Sequence, residues 1–355
     1  MVKSIKYIIL PIGMIILLMY GCSHPSLTVY DYGTKQIVVV FLDQEESYNY
    51  IQNSDFTKGM NRLNISLRLD EDIPENDEDN GLTEYNNFIS EKLQDWYGYE
   101  RNVVWGAAED AIDELSVFAP SVLPDTLYFI ITSPSMEFNA FLTINKAIVV
   151  PSNVVWPIFF KGMIKNYIAH ELFHIYSRYH ELQRDSLYAL FNFHQADTVE
   201  IGKYLEPKMI RNPDVHDNNY FLRLRDSTGV ANNYVLLVQL DEKEYNNNRG
   251  ITSFLNGANI FGFFDTYLYK LDEYNDNCYE VHNKENPTKI DMSQFKNGFD
   301  LICGSLTNDR SFAEEIAAET FVSCLEADKD STVLRNYNVN ERELIRKFIK
   351  ILRED

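Results

Sequence analysis

Two histidines and a glutamate interrupt an aromatic and aliphatic run between Tyr167 and Tyr176. Such a run predicts a buried α-helix. Positions four apart on a helix lie on one face and about 6 Å apart along the axis, so His170 and His174 project together. Two imidazoles and the Glu171 carboxylate are costly to bury without partners. We therefore expect His170 and His174 to bind one metal ion, with hydrogen-bonded core histidines as the alternative.

Glu171 directly follows the first of these histidines, which would place it beside an open coordination position of the metal. Zinc accepts imidazole nitrogens at about 2.0–2.1 Å and lowers the pKa of a water toward about 7. A carboxylate beside that water can act as general base for attack on a polarised carbonyl. The motif therefore predicts a zinc-dependent peptidase with Glu171 as the catalytic residue. The alternative is a catalytically inactive scaffold of the same kind that serves as a binding module.

The nearer candidate for a third ligand is His180, whose spacing from His174 resembles that of the metzincins. In that family a glycine ends the helix at the position held here by Ser177, and serine lacks the conformational freedom of glycine. No helix breaker occurs between Ile175 and Leu190, so we expect the helix to continue. His180 would then lie about 9 Å beyond His174 and out of reach of the ion.

The more distant candidate is Glu315, which shares a helix face with Glu319. Glu-x-x-Ala-Glu in this segment resembles the Glu-x-x-Ala-Asp element of the gluzincins. That resemblance implies that Glu315 binds the metal and that Glu319 forms a hydrogen bond with a ligating histidine. The element could instead be framed on Glu314, or the acids could form a solvated helix face. Because 141 residues separate His174 from Glu315, the intervening segment must fold back.

The chain more closely resembles a group of bacterial proteins assigned as metallopeptidases. Their helix reads His-Glu-x-x-His-x-x-Ser-Arg and a later segment reads Glu-Glu-Ile-x-Ala-Glu; this chain has both, with Asn212-Pro213-Asp214 midway between them. The resemblance covers roughly residues 140–325 and implies a zincin-like catalytic domain, a Zn²⁺ cofactor and a peptide or protein substrate. By analogy with zincins, the strand near Ala140–Val150 would hold the peptide backbone at a sheet edge. Candidates for an oxyanion donor, among which the sequence does not choose, are His194, His216, His282, Tyr220 and Tyr267.

The pattern of elements predicts an α+β protein with an N-terminal mixed or antiparallel sheet, a central helix bearing the histidines and a mostly helical C-terminal part. Strands are predicted at Thr126–Thr132 and Ala140–Val150, with Asn145-Lys146 as a turn or bulge, and are expected to cluster in the first half of the chain. The expected organisation is a tether at 22–35, the sheet and active-site helix at 36–193, an insertion or second lobe at 194–300, and helices completing the metal site at 301–355.

The first 21 residues have the layout of a signal peptide. Lys3 and Lys6 precede an uncharged apolar run that ends before Gly21 and Cys22. A helix of this run would span only about 21 Å, less than the roughly 30 Å of a bilayer core. The end of the run resembles the bacterial lipobox, which implies cleavage before Cys22 and lipidation of its thiol. The chain is then expected to be a membrane-anchored lipoprotein of the bacterial cell envelope, facing the periplasm or the cell surface.

The net charge argues against one class of partner, and the number of cysteines limits the disulfides that can form. A formal net charge of −21 without any basic cluster argues against binding nucleic acid. With Cys22 assigned to lipid, three cysteines remain, so at most one intrachain disulfide can form. Cys278 with Cys303 is the favoured pair, and Cys324 is expected to be a buried free thiol.

Overall fold

A computed structural model describes residues 27–32, 35–74, 78–155, 161–215, 219–225, 229–247, 260–291, 295, 304–307 and 311–354. The predicted signal peptide and the predicted lipidation site Cys22 lie outside these residues. Within the described part, no helix is both long enough and apolar enough to span a bilayer.

The described chain is an α+β protein, as the sequence predicts. The helices are α1 (Gln44–Gln52), α2 (Arg62–Leu69), α3 (Glu78–Lys92), α4 (Gly98–Phe118), α5 (Lys161–Tyr179), α6 (Glu181–Ala189), α7 (Ala313–Lys329) and α8 (Val339–Arg353). The strands are β1 (Leu27–Tyr32), β2 (Lys35–Phe41), β3 (Thr126–Thr132), β4 (Leu142–Ile144), β5 (Ala147–Pro151), β6 (Phe193–Gln195), β7 (Thr198–Glu200), β8 (Tyr220–Arg225), β9 (Ala231–Leu240), β10 (Phe264–Asn275), β11 (Cys278–Val281) and β12 (Ile290–Asp291).

The first sheet is mixed and has the strand order β1-β2-β3-β5-β4. Strands β2, β3 and β5 are parallel, whereas β1 and β4 pair antiparallel at the two ends. The central strand β3 is buried on both faces, which explains its nearly continuous apolar sequence. The predicted strand at 140–150 is a hairpin, because Asn145 adopts a left-handed φ of 53° and turns the chain between β4 and β5. Strand β4 is therefore an edge strand of this sheet.

The predicted tether at 22–35 is wrong from Leu27 onward. Residues Leu27–Tyr32 form β1, which pairs in register with β2 from Leu27↔Val40 to Tyr32↔Lys35. Leu27 and Val29 are about half exposed, so this strand carries little apolar signal. The strand is joined to β2 by its backbone ladder, and Tyr30 contacts Trp105 and donates to Asp113 of α4.

A second sheet shows that the strands do not cluster in the first half of the chain. Its order is β6-β8-β9-β10-β11-β7, and β12 pairs with β10 off this path. Leu222, Leu236 and Leu268 from this sheet are buried in the same apolar core as Phe173 of α5. The segment predicted as an insertion or second lobe therefore shares an apolar core with the helix that carries the histidines.

Helix α5 is held between helices from both halves of the chain. It packs on α4 and on α7, and the small side chains of Ala107 and Ala111 are fully buried on α4. The Phe173 ring centroid lies 5.2 Å from that of Phe321 on α7 and 6.0 Å from that of Phe348 on α8. This packing fixes α5 against α7, the helix that carries the candidate third ligand.

The expectation that α5 continues past His180 is wrong. The helix ends at Tyr179, and His180 adopts φ −124° and ψ 69° before α6 begins at Glu181. The Nδ1 atom of His180 lies 2.9 Å from the carbonyl oxygen of Tyr176, which keeps the ring folded back on the last turn of α5.

Candidate metal centre

Two side chains of α5 and one of α7 converge on a single point. The Nε2 atoms of His170 and His174 lie 2.9 Å apart. Oε2 of Glu315, in the first turn of α7, lies 3.2 Å from Nε2 of His170 and 3.7 Å from Nε2 of His174. The structure thus brings together the three residues that the sequence singles out as metal ligands.

The spacing of these three atoms fits a tetrahedral metal ion. Ligands held at about 2.0–2.1 Å in tetrahedral geometry lie roughly 3.3–3.4 Å from one another, and the three observed separations bracket that value. Two imidazole nitrogens and one carboxylate oxygen form the donor set of catalytic zinc sites, which leave a fourth position open. His170 and Glu315 retain some exposure, so the open side faces the cleft. The residues present therefore fit a zinc ion.

The back of His174 is held by Glu314, the residue before the candidate ligand. Its Oε1 lies 2.9 Å from Nδ1 of His174, a ring that is almost fully buried. Ser177 Oγ donates to the same oxygen at 2.5 Å, and the hydroxyl of Tyr188 donates to Oε2. A carboxylate at Nδ1 fixes the tautomer in which Nε2 offers its lone pair. The bond from Ser177 also gives a structural role to the residue that stands where metzincins have glycine.

At His174 the supporting carboxylate is Glu314, whereas Glu319 lies near the other histidine, His170, and its charge helps to raise the pKa of that ring. Glu319 lines the cleft and accepts a hydrogen bond from Thr307, whereas the carboxylate against His174 is that of Glu314. Consecutive residues on a helix point about 100° apart. Because the first turn of α7 faces α5, Glu315 lies near Nε2 of His174, and Glu314 lies against Nδ1 of the same ring.

Glu315 is also held from the opposite side by the loop before β8. Asn212 Nδ2 donates to its Oε1 at 2.5 Å. Burial opposes ionisation of Glu315, but the charge of His174 and the hydrogen bonds from His170 and Asn212 outweigh it and lower its pKa to about 2. Burial would likewise lower the pKa of His174, but the charges of Glu315 and Asp214 and the contact with Glu314 raise it to about 9. The carboxylate is therefore ready to act as an anionic ligand.

Glu171 lies beside this cluster and is almost fully buried. Within the described residues its Oε2 atom has no hydrogen-bond partner. Ligating atoms of Glu171, His174 and Asp214 lie within 4.8 Å of one another. Burial, followed by the charge of Asp214, raises the pKa of Glu171 well above its ordinary value. A buried carboxylate oxygen without a protein partner, facing the cleft, suits a group that receives a proton from a water or a substrate.

Asp214 ties this region to the edge of the first sheet, a role that the sequence does not predict. Its Oδ1 accepts from the backbone nitrogen of Thr143 at 2.5 Å and from Thr143 Oγ1 at 2.7 Å. Arg178, one turn beyond His174, donates to Thr143 Oγ1 at 2.9 Å and to the Asn145 carbonyl at 2.6 Å. These bonds join α5, the β4–β5 hairpin and the 212–214 loop. The motif Asn-Pro-Asp and the arginine after Ser177 were the only signals for them.

Two of the candidate ligands, His170 and Glu315, line a cleft of about 650 Å³ together with Glu171. Phe138, Phe261 and Phe264 give the same cleft an apolar lining, and the ring of Phe261 contacts each of the other two edge to face at a centroid distance of 5.9 Å. Leu142 of the β4 edge also lines this cleft. A volume of this size accommodates a ligand of a few residues.

Other predicted residues lie elsewhere. Of the oxyanion candidates, His194, Tyr220, Tyr267 and His282 do not line the cleft, and His216 lies outside the described residues. Tyr220 donates to Asp185 and accepts from Arg184, and His282 lies on an exposed hairpin beside Asp272. Cys324 is buried and free, as predicted; Cys278 is a free thiol, and Cys303 lies outside the described residues.

Comparison with known proteins adds no relative. No family model, no curated protein and no solved structure matches the chain. The chemistry of the site therefore rests on the contacts given above.

Proposed function

We propose that this protein is a zinc-dependent peptidase with a site of the gluzincin type. His170, His174 and Glu315 would hold the ion, and Glu171 would be the general base. The observation that carries this proposal is the convergence of the three ligating atoms at 2.9–3.7 Å beside a buried carboxylate with an unpartnered oxygen. The mixed sheet that ends at β4, followed by α5 and α7, also supports a zincin-like arrangement of the catalytic domain.

When bound, zinc supplies a Lewis acid that polarises the scissile carbonyl and acidifies a water. Glu171 would take one proton from the attacking water as the oxygen–carbon bond forms. The same carboxyl would then give this proton to the amide nitrogen as the carbon–nitrogen bond breaks, so that the products are a carboxylic acid and an amine. Asp214 and Thr143 would keep the β4 edge, where a peptide can lie, in a fixed position relative to Glu171.

The N-terminal segment and the net charge support a location and a substrate class for this activity. The signal-peptide layout and Cys22 support a lipoprotein anchored to a bacterial envelope membrane and facing the periplasm or cell surface. The net charge of −21 supports a peptide or protein substrate rather than a nucleic acid.

Metal content and hydrolysis test the proposal together. Mass spectrometry of the purified protein should find one zinc per chain, which His170→Ala removes and His282→Ala, at an exposed histidine, retains. Cleavage of a broad library of quenched fluorescent peptides should fall about 10²–10⁴-fold in Glu171→Gln. The matched control is Glu181→Gln, which changes an exposed glutamate at the start of α6. Full zinc loading without any cleavage, or cleavage that Glu171→Gln leaves unchanged, would favour the inactive binding module instead.

A further inference from the structure

Arg211 occupies the boundary between the metal cleft and a neighbouring cleft. It precedes Asn212, the residue that donates to the candidate ligand Glu315. The neighbouring cleft has a volume of about 490 Å³ and is lined by Thr143 and Ile144 of the β4 edge. Arg211 lines both clefts and is exposed. A chain running along β4 away from the metal would therefore pass this side chain.

The guanidinium of Arg211 has no acidic partner within the described residues. The other arginines nearby are already bound: Arg68 is paired with Glu137, and Arg178 donates to Thr143 and to a backbone carbonyl. In a chain with a net charge of −21, a cation beside a substrate cleft without a carboxylate partner is unusual. Its donors are available to a ligand.

The position of Arg211 is built by its neighbours. Its backbone nitrogen donates to Asn64 Oδ1 at 2.8 Å, and its carbonyl accepts from Arg68 Nη2 at 3.3 Å. The guanidinium lies against Gly59, where a Cβ atom would come within 2.9 Å of Nη1. Gly59 also has a φ of +74°, which disfavours any larger residue. The backbone of Arg211 is thus held by its neighbours, and its exposed guanidinium lies beside Gly59 at the boundary of the two clefts.

We propose that Arg211 is an anion subsite that binds a carboxylate of the substrate. A planar guanidinium matches a carboxylate through two parallel hydrogen bonds. The carboxylate can be the C-terminus of the peptide or an acidic side chain near the scissile bond. This inference rests on the proposed peptidase function and would define its substrate class. A terminal carboxylate would make the enzyme an exopeptidase or a processor of short peptides, and a side-chain carboxylate would make it selective for acidic residues.

Binding to an inactive variant tests this subsite without turnover. Fluorescence anisotropy measures the affinity of the Glu171→Gln protein for labelled peptides that share one core sequence. One pair of peptides differs in having a free or an amidated C-terminus. The other pair differs in having glutamate or glutamine at one internal position. We expect one carboxylate to bind at least about tenfold more tightly than its neutral counterpart. Arg211→Ala should abolish that difference and leave the affinity for the neutral peptides unchanged. The pair that shows the difference identifies the source of the carboxylate.

Control variants separate this role from a general loss of charge or fold. Lys203→Ala removes an exposed positive charge in a turn and should keep the discrimination. Arg211→Gln, checked by circular dichroism, replaces Arg211→Ala if the latter does not fold. In the active protein Arg211→Ala should raise KM for the carboxylate peptide and leave kcat nearly unchanged.

Two outcomes would overturn the subsite: no discrimination between carboxylate and neutral peptides, or an equal loss of affinity for both in Arg211→Ala. If the Glu171→Gln protein discriminates between carboxylate and neutral peptides but the wild-type protein hydrolyses no peptide, the peptidase function would be rejected and the subsite would stand.

Discussion

Glu314 Oε1 lies 2.9 Å from Nδ1 of His174, and the opposite nitrogen of that ring lies 3.7 Å from Oε2 of Glu315. Neighbouring residues of α7 thus hold the two sides of one histidine. One carboxylate is placed to fix the tautomer, and the other lies beside the nitrogen that would bind a metal ion.

Glu314→Gln should weaken zinc binding by roughly 10–100-fold without removing the site. The amide accepts a weaker hydrogen bond from Nδ1, so the ring is less basic and less firmly oriented. The measurement is competition with a chromophoric chelator. Glu326→Gln is the matched control, because it changes an exposed glutamate of the same helix. Equal affinity in the two variants would remove Glu314 from the support of the metal.

Zinc binding to the metal-free protein should release a proton and become tighter as the pH rises. The raised pKa of His174, about 9, means that the ring is protonated at pH 7.5 in the absence of metal. A ligating nitrogen must be neutral, so the metal displaces that proton and the affinity increases up to about tenfold per pH unit below pH 9. Glu315, with its pKa lowered to about 2, contributes no proton in this range.

Isothermal titration in two buffers with different ionisation enthalpies measures this release. The observed heats should differ between the buffers in proportion to the protons released, and His282→Ala should behave as the wild type does. Identical heats in both buffers at pH 7.5 would show that the ring is neutral before the metal binds.

The histidine helix and the convergence of its two imidazoles could be predicted because their signal is local. His170, Glu171 and His174 need only the geometry of one helix. Glu315 could be proposed because its spacing to Glu319 is also local. The choice between Glu314 and Glu319 as partner of His174 could not be made, because it depends on the rotation of α7 against α5. That rotation is set by contacts such as Phe173 with Phe321, which lie far apart in the sequence.

Features that leave little hydrophobic or motif signal in the sequence were missed. Strand β1 has half-exposed side chains and forms through its ladder with β2. Asp214 lies in a loop whose place is set by bonds to Thr143, 71 residues away in the sequence. The Asn-Pro-Asp triplet marks a turn but does not say which element the turn contacts.

Glu137→Ala should destabilise the protein by about 3–5 kcal/mol, the range expected when a buried ion pair loses one partner. Arg68 Nε donates to Glu137 Oε1 at 2.7 Å, both side chains are nearly fully buried, and Tyr85 donates to the same carboxylate. Removing the carboxylate leaves the guanidinium buried without its counter-charge.

Urea unfolding monitored by circular dichroism measures this loss. The control is Asp55→Ala, which breaks an ion pair between side chains that are 76–81% exposed and should change the stability by less than about 1 kcal/mol. The loss of stability in Tyr85→Phe should lie between those of Glu137→Ala and Asp55→Ala, because this change removes one hydrogen bond and leaves the ion pair intact. A Glu137→Ala effect no larger than that of Asp55→Ala would mean that water or another group replaces the lost charge.

His180→Ala and Glu315→Ala should separate the two possible third ligands. The imidazole of His180 stacks on Tyr176 at 4.3 Å and its Nδ1 faces a backbone carbonyl, so its removal should leave the zinc affinity unchanged. Glu315→Ala removes one of the three candidate ligand atoms. It should lower the zinc affinity by more than the roughly 10–100-fold expected for a residue that only supports a ligand. Zinc stoichiometry by mass spectrometry after dialysis against a weak chelator measures both. Retention of zinc by Glu315→Ala together with its loss from His180→Ala would require a rearranged end of α5 and a site of the metzincin type.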